Sequence, residues 1–111
     1  MSDTHAKPRL GQIVQVTHGR EADQYMIVIA IIDQRYVLLA DGKKRKFNRP
    51  KKKNVLHFKM LDYISAEIQN SLLETGRITN GKLRFTIDKY VKEYVTDEKK
   101  GVEPDDERRS N

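Results

Sequence analysis

Hydrophobic residues in the first half of the chain either alternate with polar ones or form short β-branched runs, and both patterns are typical of strands. In the segment QIVQVT, Val14 and Val16 alternate with polar neighbours, which predicts a strand with one buried face. The segment YMIVIAIID is apolar at successive positions and predicts a central strand covered on both faces. A third strand is predicted at YVLLA, after the polar QR break.

Two more strands are predicted from the turn that follows YVLLA. Asp41-Gly42 has the composition of a type I′ hairpin turn, which needs positive φ at both central residues. We therefore expect the strand KKRKFN to return from this turn and to end at Pro50, which has no amide hydrogen for a sheet. A short fifth strand is expected at NVLHF, Asn54 to Phe58. Five short strands in so short a stretch tend to close into a small barrel.

The periodicity changes to that of helices after residue 60. Ser65 is a suitable N-cap and Gly76 a suitable C-terminal stop for a first helix. A second helix is expected to begin at Thr79 or Asn80 and to end near Val95. The apolar stripes that would pack are Ile68 and Leu72 in the first helix, and Leu83, Ile87, Val91 and Tyr94 in the second.

These patterns predict one mainly β domain with an appended element. We expect a flexible lead over residues 1–9, a five-stranded barrel over 10–60, a two-helix extension over 61–95 and a disordered charged tail over 96–111. The N-terminus MSDTHAKPRL lacks the apolar stretch of a signal peptide. The longest apolar run, YMIVIAII, is too short to span a bilayer as a helix. A soluble cytoplasmic protein without a membrane partner is therefore expected.

Positive charge is concentrated in the first half of the chain. Residues 1–60 hold 13 basic and 5 acidic residues, whereas residues 61–111 hold 9 basic and 11 acidic ones. Between Lys43 and Lys53, eight of eleven residues are Lys or Arg. A lysine-rich surface can simply keep a small protein soluble, but that role favours evenly scattered charge. The cluster instead indicates a polyanionic partner, of which nucleic acid is the commonest.

The residue types that carry catalysis or bind metals are sparse. The chain has no cysteine, which excludes disulfides, thiolate chemistry and cysteine-based zinc sites. His5, His18 and His57 are far apart in sequence and have no paired carboxylates at ligand spacing. No phosphate-binding glycine loop and no Ser/His/Asp arrangement with flanking glycines is present. We therefore expect no enzymatic activity, no metal, no cofactor and no small-molecule substrate.

The segment GQIVQVTHGREADQYMIVIAIIDQRYVLLADG resembles a KOW motif, a short strand–loop–strand signature of many ribosomal and transcription-elongation proteins. The matching residues are Gly11, Val14, Val16, Gly19, Arg20 and the apolar strand that begins near Tyr25. With the basic sequel ADGKKRKFNRPKKKNVLHF, the chain resembles small bacterial KOW-domain RNA-binding proteins, which are similar to the fourteen-e type protein of the large ribosomal subunit. The resemblance implies an SH3-like barrel that binds structured RNA, with Gly11 and Gly19 in the KOW turn. Asp23 stands where the family usually has a second loop glycine.

A set of basic residues is expected to neutralise RNA phosphates. These RNA-binding candidates are Arg20, Lys43, Lys44, Arg45, Lys46, Arg49, Lys51, Lys52 and Lys53. The interleaved rings of Tyr25, Tyr36, Phe47 and Phe58 can stack on bases, although a small barrel without Trp needs its aromatic residues inside.

The leading hypothesis is a protein that binds ribosomal RNA, and possible further partners are ribosomal proteins. One alternative is a transcription-elongation type KOW factor on polymerase or nascent RNA. The other is a protein-interaction module that uses the C-terminal helices and the acidic tail.

Overall fold

A five-stranded antiparallel sheet followed by two helices forms the part of the chain that the computed structural model describes, residues 7–96. The elements are β1 (Gln12–Val16), β2 (Tyr25–Ile31), β3 (Tyr36–Ala40), β4 (Lys51–Asn54), a 3₁₀ turn (Val55–His57), β5 (Phe58–Ile64), α1 (Ala66–Thr75) and α2 (Asn80–Tyr90), which continues as a π-helical turn (Val91–Thr96). The first six residues of the predicted flexible lead and the predicted tail beyond residue 96 lie outside the described residues. The predictions of β1, β2, β3 and both helices are confirmed.

The predictions for KKRKFN and NVLHF as strands are wrong, and the same physical cause applies to both. Asp41 Oδ1 accepts hydrogen bonds from the backbone amides of Lys43 and Arg45, at 2.8 and 2.9 Å. These bonds fold the chain into a loop, in which only Gly42, and not Asp41, has positive φ. Asn54 Oδ1 likewise accepts from the amide of Leu56 at 2.8 Å and begins a 3₁₀ turn. Short polar side chains thus take backbone donors that a sheet would otherwise use. Pro50 precedes a strand instead of ending one.

The sheet is open but strongly curled. Its strand order is β4-β3-β2-β1-β5, so β4 and β5 are the two edges and do not pair with each other. In a flat sheet, four strand spacings would separate these edges by about 19 Å. The 3₁₀ turn that joins them has three residues, which advance the chain by only about 6 Å. The sheet must therefore curl until its edges approach. Lys53 Nζ on β4 accordingly donates to the carbonyl of His18, just past β1, at 3.2 Å.

Both faces of the sheet are buried, as the apolar run of β2 predicts. The outer face packs on the helices and includes Ile13, Ile27, Ile29 and Ala40, which contact Ile68, Leu72 and Leu83. The buried residues of the inner face are Val14, Val16, Met26, Val28, Val37, Leu39 and Phe58. All of these inner residues lie on strands, and Leu10 and Val55 from the flanking segments also pack against them. Each fully buried side chain of this size contributes about 1.5–3 kcal/mol.

Both helices begin at predicted capping residues, and α1 ends at its predicted stop. Ser65 Oγ accepts from the amide of Ile68 at 3.2 Å, and Gly76 ends α1 in the left-handed conformation. Thr79 Oγ1 caps α2 in the same way, through the amide of Lys82. The amide of Ser65 also donates to the Gly11 carbonyl at 2.9 Å. A Cβ at Gly11 would lie 2.8 Å from the Ser65 carbonyl oxygen, so the contact between β1 and α1 requires glycine.

Candidate nucleic-acid interface

The first part of the candidate interface is the basic loop, defined as residues 42–50 between β3 and β4. The Asp41 carboxylate closes its first turn, and the amides of Asp41 and Gly42 both donate to the Arg45 carbonyl, at 2.9 and 3.1 Å. Further along, the Arg49 amide donates to the Lys46 carbonyl at 2.9 Å. These bonds give the loop an ordered backbone, so its cations project from defined positions.

Helix α2 holds the basic loop from the side. Arg84 Nη1 donates to the Gly42 carbonyl at 2.8 Å, and Asn80 Oδ1 accepts from the Phe47 amide at 2.7 Å. The approach is so close that a Cβ at Gly42, whose φ is 81°, would lie 2.3 Å from the Asn80 carbonyl oxygen. The start and the middle of the loop are thereby fixed to one helix, 42 residues away in the case of Arg84.

A buried carboxylate links the basic loop to the loop between β1 and β2. Arg45 Nε and Nη2 both donate to Glu21 Oε2, at 3.2 and 2.9 Å. Lys53 Nζ lies 3.9 Å from Glu21 Oε1. We call these three residues the Glu21 cluster. The side chains of Glu21 and Lys53 are each 9% exposed, and that of Arg45 is 34% exposed. Because the cluster crosses between the loops, both lie at one end of the sheet.

Electrostatics keeps Glu21 ionised. Burial by itself raises the pKa of this carboxyl, but the hydrogen bond and charge of Arg45 and the charges of Lys51 and Lys53 outweigh it. The net effect holds the pKa of Glu21 below its ordinary value. The cluster is thus a structural ion group, and its cations are already partly neutralised from inside the protein.

The nine RNA-binding candidates therefore divide into two groups. Lys53 is buried, donates to the His18 carbonyl and pairs with the charge of Glu21 at 3.9 Å, so the structure places its charge inside the end of the sheet. Arg45 is partly committed to Glu21, and Lys51 is half-buried. The remaining candidates are exposed to solvent: Arg20, Lys43, Lys44, Lys46, Arg49 and Lys52.

Two of the exposed cations have partners of their own. Lys43 Nζ lies 3.9 Å from Asp88 Oδ1 on α2, and both side chains are well exposed. Lys52 Nζ lies 4.7 Å from the centre of the Tyr36 ring, a cation–π contact. Exposed contacts of this kind are weak enough to be exchanged for a phosphate.

The loop between β1 and β2 includes two residues with positive φ, Gly19 at 92° and Asp23 at 73°. Gly11, which precedes β1, has a φ of 82°. Asp23 thus takes a conformation that glycine adopts more readily than other residues. The rings of His18 and His57 lie 4.9 Å apart between centroids, although the two residues are far apart in sequence. No group of three metal-ligating side chains is found among the described residues.

The aromatic candidates mostly pack inside the protein. Phe58 is buried, Phe47 and Tyr25 are half-buried against the core under the helices, and Tyr36 is covered by Lys52. Phe47 lies in the basic loop itself, and Tyr25 lies beside the loop, around one cavity with Lys43 and Lys44. Base stacking by the other three is not favoured by these positions.

Sequence reasoning missed Asn80, Arg84 and Glu21 as residues that shape the interface. Nothing in the local pattern marks them, because each acts on a loop distant in the chain. Asn80 has a local signal as a possible helix cap, but its side chain is used on Phe47 and Thr79 caps the helix.

No helix in residues 7–96 has the length and apolar character needed to cross a bilayer. A scan of the chain against protein-family models finds no match.

A curated relative is similar over most of its own length. It is the Bacillus subtilis (strain 168) protein named "Putative ribosome-binding protein YbzG", which is 45% identical over 71 residues. The match covers 64% of this chain and 96% of the relative. Nearly all of that protein therefore corresponds to a part of this one.

Proposed function

This chain belongs to the same family as the Bacillus subtilis relative, and from that premise we propose that it is a non-enzymatic protein that binds the ribosome through structured ribosomal RNA. The observation that supports RNA as the contacted component is the set of six exposed cations on the two loops and β4. The name of the Bacillus subtilis relative supports the ribosome, and not RNA polymerase, as the partner. A ribosomal partner would place the protein in the cytoplasm.

The proposed mechanism is phosphate neutralisation by cations held in fixed relative positions. The bonds from α2 and the Glu21 cluster order both loops before any partner binds. Pre-ordering lowers the conformational entropy lost on association. If all six exposed cations contact phosphates, affinity should fall on the order of 10³-fold between about 50 and 200 mM salt.

We also propose that the curled sheet is a small SH3-like barrel of the KOW type. Its support is the short connection between the edge strands and the inner apolar face, whose buried residues all lie on strands. The positive φ values in the loop between β1 and β2 agree with the KOW turn. The helices cover the outer face of the same sheet, so they belong to its core as well as to any docking surface.

Co-sedimentation with purified ribosomes tests the proposal. The variant Lys44→Gln/Lys46→Gln should reduce the bound fraction. It should also make the fall of log affinity with log salt less steep, with a slope smaller in magnitude by about 1.5–2. The matched control Lys89→Gln/Lys92→Gln removes the same charge from exposed positions on α2 and the π-helical turn and should leave the slope unchanged. Equal effects of the two variants would refute the proposed interface.

Ultraviolet crosslinking on the same ribosomes identifies the contacted component. Crosslinks concentrated at one or two positions of ribosomal RNA are expected. Crosslinks to ribosomal proteins alone would contradict RNA binding and favour the protein-interaction alternative.

A further inference from the structure

A cavity of about 250 Å³ lies between the basic loop and α2. Tyr25 and Ile87 line its apolar part, Lys43 and Lys44 lie on the side of the loop, and Arg84 and Asp88 lie on the side of the helix. We call it the loop–helix pocket. It combines an aromatic ring, positive charge and hydrogen-bonding groups within one small space.

The walls of the pocket are fixed by contacts outside it. Arg84 donates to the Gly42 carbonyl at 2.8 Å and thereby joins the loop side to the helix side. The Tyr25 ring packs against the Tyr90 ring, with 5.9 Å between their centroids. The Asp41 carboxylate fixes the amides of Lys43 and Arg45. A ligand would consequently meet a formed pocket, with little ordering cost.

The mixture of side chains selects the chemical class of the ligand. An aromatic ring offers a face to any nucleobase, and such stacking is tolerant of sequence. The ammonium group of Lys44 suits a phosphate, whereas that of Lys43 lies 3.9 Å from Asp88 Oδ1. The Asp88 carboxylate repels a phosphate or a carboxylate ligand but accepts hydrogen bonds from N–H groups on a base edge. An acidic peptide could pair with Lys44 and donate amide N–H groups to Asp88, but a nucleotide also offers a planar base to the ring of Tyr25.

Size limits the ligand. At about 250 Å³ the pocket lies below the range of about 300–1,000 Å³ that is typical of sites for drug-sized ligands, so it has room for no more than one nucleotide. We propose that the loop–helix pocket binds one unpaired RNA nucleotide, with its base against Tyr25 and its phosphate at Lys44. The inference rests on the proposed RNA binding and adds to it a discrete site for one base.

The test is a nuclear magnetic resonance titration of the full-length protein with each of the four 5′-mononucleotides. Ribose 5-phosphate, which has the phosphate without a base, is the matched ligand control. The amides of Tyr25, Arg84 and Ile87 should shift with nucleotides and much less with ribose 5-phosphate. Equal shifts with both ligands, or shifts confined to the lysines, would overturn the assignment of a base to the pocket.

Variants at exposed positions give a second readout without threatening the fold. Lys44→Gln should weaken nucleotide binding up to about fivefold, as for one exposed ionic contact. Lys89→Gln, also exposed on α2, should not weaken it. Asp88→Asn adds a donor beside the acceptor and should change the order of affinity among the four nucleotides. An unchanged order would remove Asp88 from base recognition and contradict the proposed orientation.

Failure of the pocket and failure of the proposed function can be distinguished. Ribosome co-sedimentation with no nucleotide shifts would overturn the pocket and leave ribosome binding in place. Nucleotide shifts without co-sedimentation would uphold the pocket and refute the ribosome as the partner.

Discussion

The Glu21 cluster offers a direct test of how the interface is built. Glu21→Gln keeps the shape of the side chain but removes its charge, so Lys53 is left as a 9%-exposed cation without a carboxylate. Removing one partner of a fully buried ion pair costs about 3–5 kcal/mol. Arg45 is one-third exposed and can turn to solvent, and Lys53 keeps its bond to the His18 carbonyl. We therefore expect a smaller loss in the free energy of unfolding, about 2 kcal/mol.

The assay is urea unfolding followed by circular dichroism, at pH 7 and at lower pH. Because the folded-state pKa of Glu21 is lowered, its contribution to stability is present above its unfolded pKa, about 4.3, and is lost as the pH falls through the folded value. The wild type should thus lose its advantage over Glu21→Gln below about pH 4. The pKa of Asp33 is also lowered, by hydrogen bonds from the amides of Arg35 and Tyr36. The effect of Asp33 on stability is the same in the wild type and in Glu21→Gln, so it cancels in the difference between their free energies of unfolding.

A double variant identifies the source of the loss. Glu21→Gln/Lys53→Met removes the buried cation that Glu21→Gln leaves without a carboxylate, and Met fills the space of the lysine stem without its charge. It should recover most of the stability lost in Glu21→Gln. A loss below about 0.5 kcal/mol at pH 7, which is typical of surface substitutions, would refute the buried ion pair. A difference in the free energy of unfolding between the wild type and Glu21→Gln that does not depend on pH would refute it as well.

Two further substitutions test the loops. Gly42→Ala should lower the free energy of unfolding by about 2 kcal/mol or more, because the new Cβ would lie 2.3 Å from the Asn80 carbonyl oxygen. Ribosome binding should weaken as well. Gly76→Ala is the control, because its φ of 75° is also positive but no atom lies within 4 Å of the new Cβ. Only the backbone strain of an alanine at positive φ, about 1–2 kcal/mol, should be lost from the free energy of unfolding. Ribosome binding should be retained. Asp23→Gly removes a negative charge at a φ of 73° and should raise affinity about twofold at low salt. Equal stability of the two alanine variants in urea unfolding, or unchanged affinity of Asp23→Gly in co-sedimentation, would contradict these assignments.

Elements that rest on a repeating pattern or on a cap were predictable from the sequence. The alternation in β1, the apolar run of β2 and the capping residues Ser65 and Gly76 each act locally, and each predicts its element correctly. The strand predictions that follow Asp41 and Asn54 fail because the side chains of these residues accept hydrogen bonds from nearby backbone amides. The strength of that competition depends on the geometry of the turn, which the residue types alone do not specify.

The sequence predicts which part of the chain forms the candidate site, but not which of its side chains are exposed there. The run of charge locates the basic loop, yet the orientation of each lysine depends on where β4 begins. Because side chains alternate along a strand, Lys53 faces the interior opposite Val37, while Lys52 faces solvent. The partner that neutralises Arg45 lies 24 residues away, at Glu21. Such a pairing follows from the curl of the whole sheet and has no signal in the local sequence.

The position of β4 at an edge of the sheet gives its lysines a second consequence. An edge strand has unpaired backbone groups that can template the addition of another chain, and lysine is a common natural deterrent to such aggregation. Lys51 and Lys52 stand on that edge. Charge that attracts a polyanion therefore also repels a second copy of the same strand. Replacing these lysines with β-branched residues should lower solubility before it lowers the free energy of unfolding, so loss of RNA binding and aggregation should appear together.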